Sequence, residues 1–281
     1  MILSDALNSA AKVLRLSGVA ESRHEASSLL AFVLQKEAVF LIAHPEYVLS
    51  EYEADIFESL VRRRTNREPF QYIVESQEFY GLEFFVRPGV LIPRPETEIL
   101  VEHALSILSE IECPQIFEIG VGSGCIAISI LHNVTAAHVV GVDVSNTALA
   151  VASGNAEIHG VDERLTLLVA DVFGGMSGEF DLIVSNPPYV PTVDLETLQA
   201  EVVRFEPHTA LFGGPDGLDI LKRIIGGAPN YLRPEGYLLI EIGFGQSQSV
   251  KELYDTEVWE WVEFIPDLQG IPRIVKSRLR G

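Results

Sequence analysis

The sequence predicts an α/β protein in which a doubly wound, mostly parallel sheet follows a small bundle of helices. Three observations predict it. From residue 115 onward, short apolar runs alternate with amphipathic helical stretches, the pattern that builds a parallel sheet covered by helices. Before residue 70 the apolar residues recur only at helical spacing. A glycine-rich turn at residues 120–124 joins the first of the short runs to the helix after it.

Bulk properties bound the reading. At 281 residues, against about 150 per domain, the chain suits two domains or one domain with a sizeable appendage. Apolar residues make up 47% and charged residues 21%, which excludes wholesale disorder. No apolar run approaches the roughly 18–20 residues a membrane span needs, and Met1-Ile2-Leu3-Ser4-Asp5 lacks the basic region of a secretory signal. With only Cys113 and Cys125 there is no disulfide framework and no four-ligand zinc site. A cytoplasmic setting with no membrane is expected. The net charge is −20, of which −16 falls after residue 93. Such a body repels phosphate backbones and argues against free DNA as a partner.

Each element has its own local reason. Leu3, Leu7, Ala10 or Ala11, and Leu14 mark a first helix. Ser22 to Glu25 and Ser50 to Glu53 each fit a capping box before an apolar stripe. His44-Pro45 and Glu68-Pro69 are expected helix stops. Arg62, Arg63, Arg64 and Arg67 suit a solvated helix face, with docking of an acidic partner second. A bundle is therefore expected over residues 1–69. Aromatic and β-branched residues around Gly81 and Pro88-Gly89 then suggest a hairpin linker over 70–93. Arg94-Pro95-Glu96-Thr97-Glu98 opens a helix and a second domain over 94–281. Strands are expected at Gln115–Ile119, Val139–Asp143, Leu165–Val169, Asp181–Ser185 and Tyr237–Ile242. A closing pair follows around Gly270, in which Trp259 and Trp261 pack the sheet. Cys125 reads as a small buried packing residue.

Two motifs carry chemistry. Glu118-Ile119-Gly120-Val121-Gly122-Ser123-Gly124 lies between strand and helix, where glycines let the backbone turn tightly and approach a ligand. Asp143 ends the next strand about 20 residues on, where a carboxylate can accept both ribose hydroxyls of a nucleoside. Ser145 can cap the following helix in its place. The second motif, Asn186-Pro187-Pro188-Tyr189, ends a buried strand. Prolines make that loop rigid and carry no N–H, so carbonyls stand free beside the Asn186 oxygen. Such a site suits an –NH₂ group.

At this motif the sequence resembles class I S-adenosylmethionine (AdoMet) methyltransferases that modify planar nitrogen. Further blocks make it similar to the HemK/PrmC family: Phe79-Tyr80-Gly81-Leu82, Gly89 through Glu98, Phe205-Glu206-Pro207, Gly213-Gly214, Asp216-Gly217-Leu218 and Glu241-Ile242-Gly243. The resemblance implies a Rossmann-like, mostly parallel seven-stranded sheet behind a helical bundle; that bundle, with its own apolar stripes, a distinct linker after it and no cofactor motif, is expected to recognise the release factor. The resemblance also implies methylation of the glutamine side-chain amide in the Gly-Gly-Gln motif of peptide chain release factors. AdoMet would be the cofactor, S-adenosyl-L-homocysteine the product, and no metal would take part. Gly120, Val121, Gly122, Ser123 and Gly124 would contact the cofactor, Asp143 its ribose, and Asp171 with Val172 its adenine. Asn186, Pro187, Pro188 and Tyr189 would hold the glutamine amide, with Asn186, Pro187 and Tyr189 catalytic and Asn186 also beside the cofactor. The turn from Arg94 to Thr97 would close over the site. Two positions depart from the family pattern: Glu118 stands where many members have Asp, and Val172-Phe173 where some have an aromatic pair. The rival readings are an adenine-N6 methyltransferase on DNA or RNA and a non-catalytic AdoMet-binding adaptor. The acidic charge opposes the first and the intact Asn186-to-Tyr189 motif the second.

Overall fold

A computed structural model describes residues 1–195 and 197–281 in full. It divides into two compact units, Met1–Ser76 with Gln199–Phe205, and Gln77–Leu198 with Glu206–Gly281.

The first unit is helical: α1 (Leu3–Leu16), α2 (Ser22–Leu34), α3 (Ala38–Ala43), α4 (Glu51–Thr65) and α5 (Phe70–Val74). Leu3, Leu7, Leu14, Leu29, Leu30 and Phe57 fill its core. The capping box forms on α4, where Ser50 Oγ accepts from the Glu53 amide and Glu53 accepts from the Ser50 amide at 2.7 Å. On α2 it does not form. Ser22 is inside the helix and buried, and Glu25 turns to Arg64 instead. The energetics favour this exchange. A cap is worth about 1 kcal/mol, whereas a buried guanidinium without a carboxylate costs several.

That guanidinium corrects a sequence expectation. Arg64 is 6% exposed, not solvated. It donates to Glu25 and, at 3.1 Å, to Glu201, which also takes Arg67 at 2.6 Å. Glu201 arrives from a segment far along the chain, so periodicity around Arg64 carries no sign of it. The expected hairpin is also shorter than 70–93. Residues 70–74 are helical, a single short turn with Pro69 as its N-cap.

The hairpin is β1 (Ser76–Phe79) and β2 (Leu82–Phe85). A 3₁₀ turn at Pro95–Thr97 then precedes α6 (Glu98–Leu108). Strands and helices alternate as β3 (Gln115–Ile119), α7 (Cys125–Asn133), β4 (His138–Asp143), α8 (Asn146–Ile158), β5 (Leu165–Val169) and β6 (Phe180–Ser185). After α9 (Ala200–Phe205) and α10 (Asp219–Gly227) come β7 (Leu232–Glu241), α11 (Ser247–Lys251), β8 (Trp259–Pro266) and β9 (Pro272–Leu279). The seven-stranded sheet runs β5-β4-β3-β6-β7-β9-β8, parallel except where β9 pairs with β7 and β8. Its central strands bury both faces. Ile116, Leu182 and Val184 pack with α6 and α7, while Phe117, Ile183 and Leu238 pack with α10 and α11. Trp259 is buried, as its alternation suggests; Trp261 is half-buried, with the Lys276 ammonium over its ring.

Replacing Arg64 by Ala leaves Glu25 and Glu201 without their shared cation. The variant is expected to lose about 3–5 kcal/mol of unfolding free energy, read from urea titrations of the full chain. A loss below 1 kcal/mol would mean the pair is no more than a surface contact.

Candidate active site

The sheet order reverses at β3, with β4 on one side and β6 on the other, and open α/β sheets bind ligands beyond the strand C-termini at that point. A cavity of about 220 Å³ lies there. The register sets its walls: Ile119 pairs with Val142 and with Ser185, and Ser185 with Ile240. The residues that leave these strands therefore emerge along one edge.

The first wall is the glycine turn. Gly120, Val121, Gly122 and Ser123 line the cavity, and Gly120 and Gly122 have φ of +78° and +58°. Gly124, at φ +84°, opens α7, and a Cβ there would meet Ile128 and Ala152. Asp143 faces this turn. One carboxylate oxygen accepts from the Gly122 amide at 3.0 Å and the other from the Ser145 amide at 2.9 Å. Ser145 caps α8 through the Ala148 amide, so Asp143 is not the helix cap. Its remaining lone pairs are available at the cavity wall. Asp171 and Val172 line the far side; Asp171 pairs with Arg223 at 2.9 Å. Val172 is buried at φ +56°, an uncommon conformation for a β-branched residue. Beneath the turn, Glu118 is fully buried, with one oxygen on the Ala127 amide and the other without a partner among the described residues. Burial holds its carboxyl well above the usual range, and nearby Asp143 adds to this.

The second wall is the loop after β6. Asn186 and Pro188 line the cavity, as do Arg94 and Thr97 from the turn before α6. Asn186 Nδ2 donates to Thr97 Oγ1 at 3.0 Å. Thr97 donates to Glu241 Oε2 at 2.6 Å, and the Tyr189 hydroxyl donates to Glu241 Oε1 at 3.0 Å. Tyr189 thus points back to the end of β7. The loop is braced from behind: Gln246 donates to the Tyr189 carbonyl, and Val190 and Gly213 pair through their backbones. Gly213 must be glycine here, since a Cβ would stand 2.4 Å from the Pro188 carbonyl. Glu206 is buried and takes Arg94 at 2.6 Å. Among the described residues nothing donates to Asn186 Oδ1 or to the Pro187 carbonyl.

Comparison with known proteins fits this geometry. The PrmC N-terminal domain family matches residues 5–74 and the methyltransferase small domain family residues 95–204. The release factor glutamine methyltransferase of Geobacter sulfurreducens is 44% identical over 263 residues, covering 93% of this chain and 91% of that protein. The chain belongs to the release factor glutamine methyltransferase family. A second member, from Koribacter versatilis, is 38% identical over 282 residues and 99% of both chains. A methyltransferase structure from Pyrococcus furiosus shares the fold, with a TM-score of 0.52 at 19% identity over 72% of this chain and 91% of that one. Membership of this methyltransferase family implies AdoMet as the methyl donor.

Against the family blocks, the contacts of Thr97 and Glu241 are what sequence reasoning left unassigned. The available signal was a lone acid ending the apolar run of β7. Burial pushes the Glu241 carboxyl up to about 6 despite its bonds to Thr97 and Tyr189; Glu96 raises it further and Arg273 opposes. A carboxyl raised on folding contributes stability that is fully present below its ordinary value of 4.5 and lost as pH climbs through about 6. We expect the difference in unfolding free energy between the natural protein and Glu241→Gln to fall by about 2 kcal/mol from pH 4 to pH 7. Urea titrations at stepped pH would measure it, and a difference that stays flat would contradict the raised carboxyl.

Proposed function

We propose that this protein transfers a methyl group from AdoMet to the side-chain amide nitrogen of the glutamine in the Gly-Gly-Gln motif of peptide chain release factors. One observation carries the reading. Asn186 Oδ1 and the Pro187 carbonyl are neighbouring acceptors with no donor among the described residues, and a primary amide brings two N–H groups.

When bound, AdoMet supplies an electrophilic methyl group on a sulfonium. The residues at hand fit it. Positive-φ glycines at 120 and 122 keep two positions of the turn free of Cβ atoms, and Asp143 is anchored by two backbone amides with lone pairs to spare for a ribose diol. Asp171 and Val172 would line the adenine, and the start of α7 at Gly124 offers backbone N–H groups. The chain's work is mainly positioning. An amide nitrogen is a poor nucleophile because its lone pair is delocalised into the carbonyl. Accepting both N–H groups at Asn186 and Pro187 orients the nitrogen and favours pyramidalisation. Good orientation can supply about 7–11 kcal/mol of barrier reduction. No strong base is needed beforehand, since the methylated nitrogen is acidic and sheds its proton readily. Tyr189 and Pro188 would pack against the planar group.

The helical bundle would recognise the body of the release factor, and exposed Phe32, Val39 and Ile42 support a protein-facing surface. The free cysteines suit a cytoplasmic setting. No helix among the described residues is long and apolar enough to cross a membrane. An exocyclic adenine amine poses the same hydrogen-bonding problem, but the charge of −20 disfavours free DNA.

Labelled AdoMet offered with release factors, DNA and RNA is expected to label only the release factor; label on either nucleic acid would reverse the assignment. Asn186→Ala is expected to cut single-turnover transfer by about 10²–10³ while AdoMet binding stays near normal. Near-normal transfer would remove Asn186 from the site.

Asp143→Ala acts on the other wall. Losing charge-assisted hydrogen bonds worth about 1.5–3 kcal/mol should weaken AdoMet binding tenfold or more by calorimetry. Unchanged affinity in a variant with normal circular dichroism would exclude the ribose role.

A further inference from the structure

We propose that Thr97 and Glu241 are positioning residues that fix the side-chain amide of Asn186 with its oxygen, and not its NH₂, toward the substrate. The proposal rests on the reading that Asn186 holds the substrate amide, and it explains how that side chain is kept the right way round.

An asparagine amide is nearly symmetric in shape, and rotating it by 180° exchanges an acceptor for a donor. Facing the two N–H groups of a primary amide, only the oxygen pairs; the NH₂ would set donor against donor. Something in the protein must therefore distinguish the two orientations. Packing alone does so weakly, since O and NH₂ have nearly the same size.

The hydrogen-bond chain distinguishes them. Glu241 ends β7, is 1% exposed, and as a carboxylate can only accept. One oxygen takes the Thr97 hydroxyl at 2.6 Å. A hydroxyl has one proton, so Thr97 has none left for Asn186 and can only accept from it. The amide hydrogens of Asn186 must then face Thr97, as Nδ2 does at 3.0 Å, and Oδ1 is turned away toward the cavity. The order carboxylate, hydroxyl, amide thus transmits the fixed polarity of Glu241 to the substrate-facing atom. Each member polarises the next in a buried setting. Thr97 itself is 2% exposed, so water does not compete for its lone pairs.

The second oxygen of Glu241 holds the Tyr189 hydroxyl at 3.0 Å. A single carboxylate thereby ties both ends of the segment from Asn186 to Tyr189. A neutral glutamine at 241 would keep the shape but not the polarity. Its NH₂ could donate to Thr97, releasing the hydroxyl proton to Asn186 and allowing the amide to rotate.

Four full-length variants test this: Thr97→Val, which keeps the shape and loses the hydroxyl; Thr97→Ser, which restores it; Glu241→Gln; and Asn186→Ala. Methyl transfer to a release factor is measured in single turnovers at saturating AdoMet, alongside calorimetric AdoMet affinity and thermal melting. Thr97→Val and Glu241→Gln are each expected to slow transfer about 10–100-fold with AdoMet affinity unchanged. Thr97→Ser should remain within about threefold of the natural protein. The double variant Thr97→Val, Glu241→Gln should be no slower than Thr97→Val alone, because both break one chain. Natural-rate transfer by Thr97→Val or Glu241→Gln, with Asn186→Ala inactive, would overturn the positioning role and leave the site reading intact. Natural-rate transfer by Asn186→Ala would overturn the reading beneath it. Should Thr97→Val melt early, Glu241→Gln against Thr97→Ser decides the matter, since only the former disturbs polarity.

Discussion

Parallel pairing of β4, β3, β6 and β7 is the constraint from which the site follows. Parallel strands cannot be joined by tight turns, so each crossover delivers its next strand running the same way. In-register pairing of Ile119 with Val142 and Ser185, and of Ser185 with Ile240, ends the four strands at one level. Gly120, Asp143, Asn186 and Glu241 are what each strand then presents. Ser185 Oγ donates to the Ile119 carbonyl at 2.7 Å and locks two of those ends together. Residues separated by more than a hundred positions become neighbours because the backbone ladder leaves them nowhere else to go.

Several of the protein's buried polar groups lie along the same edge. Asn155, fully buried on α8, donates to the Phe85 and Ser123 carbonyls and accepts from the Phe85 amide, binding the hairpin to the glycine turn. Glu206 holds Arg94, and Glu241 holds Thr97 and Tyr189. The neutral bonds contribute only about 1 kcal/mol net each and those to carboxylates about 1.5–3, but leaving a buried partner unmade costs more. Apart from the backbone pairing of Val190 with the 211–213 segment, the loops around the cavity carry little backbone pairing among the described residues. Buried side chains on the neighbouring strands and helices supply their order, so rigidity at the site is borrowed from the sheet.

Much of this was legible in the sequence, for identifiable reasons. The sheet was readable because its central strands bury both faces and so appear as short continuous apolar runs. The glycine turn and Asp143 were readable because their chemistry sits in consecutive residues at a strand end. The polar partners were not. Arg64 reads as one of four surface arginines until Glu25 and Glu201 are beside it, and the second lies 137 positions away. Thr97 and Glu241 are likewise 144 apart. Local periodicity cannot encode a pairing whose partners meet only after the sheet is assembled. For the same reason the box at Ser22 failed while that at Ser50 formed: the first lost its glutamate to a distant cation.

The placement of residues 199–205 in the helical unit has a consequence for how the chain is made. A ribosome adds about 5–20 residues per second. Arg64 therefore leaves it about 7–27 s before Glu201, and during that interval a guanidinium destined for burial has only Glu25 to neutralise it. The bundle, first to emerge, is completed only after β6 has been made. Its final charge arrives with residues 199–205, after β3, β4, β5 and β6 have already been synthesised. A fully closed amino-terminal unit thus requires that the chain has been made through β6.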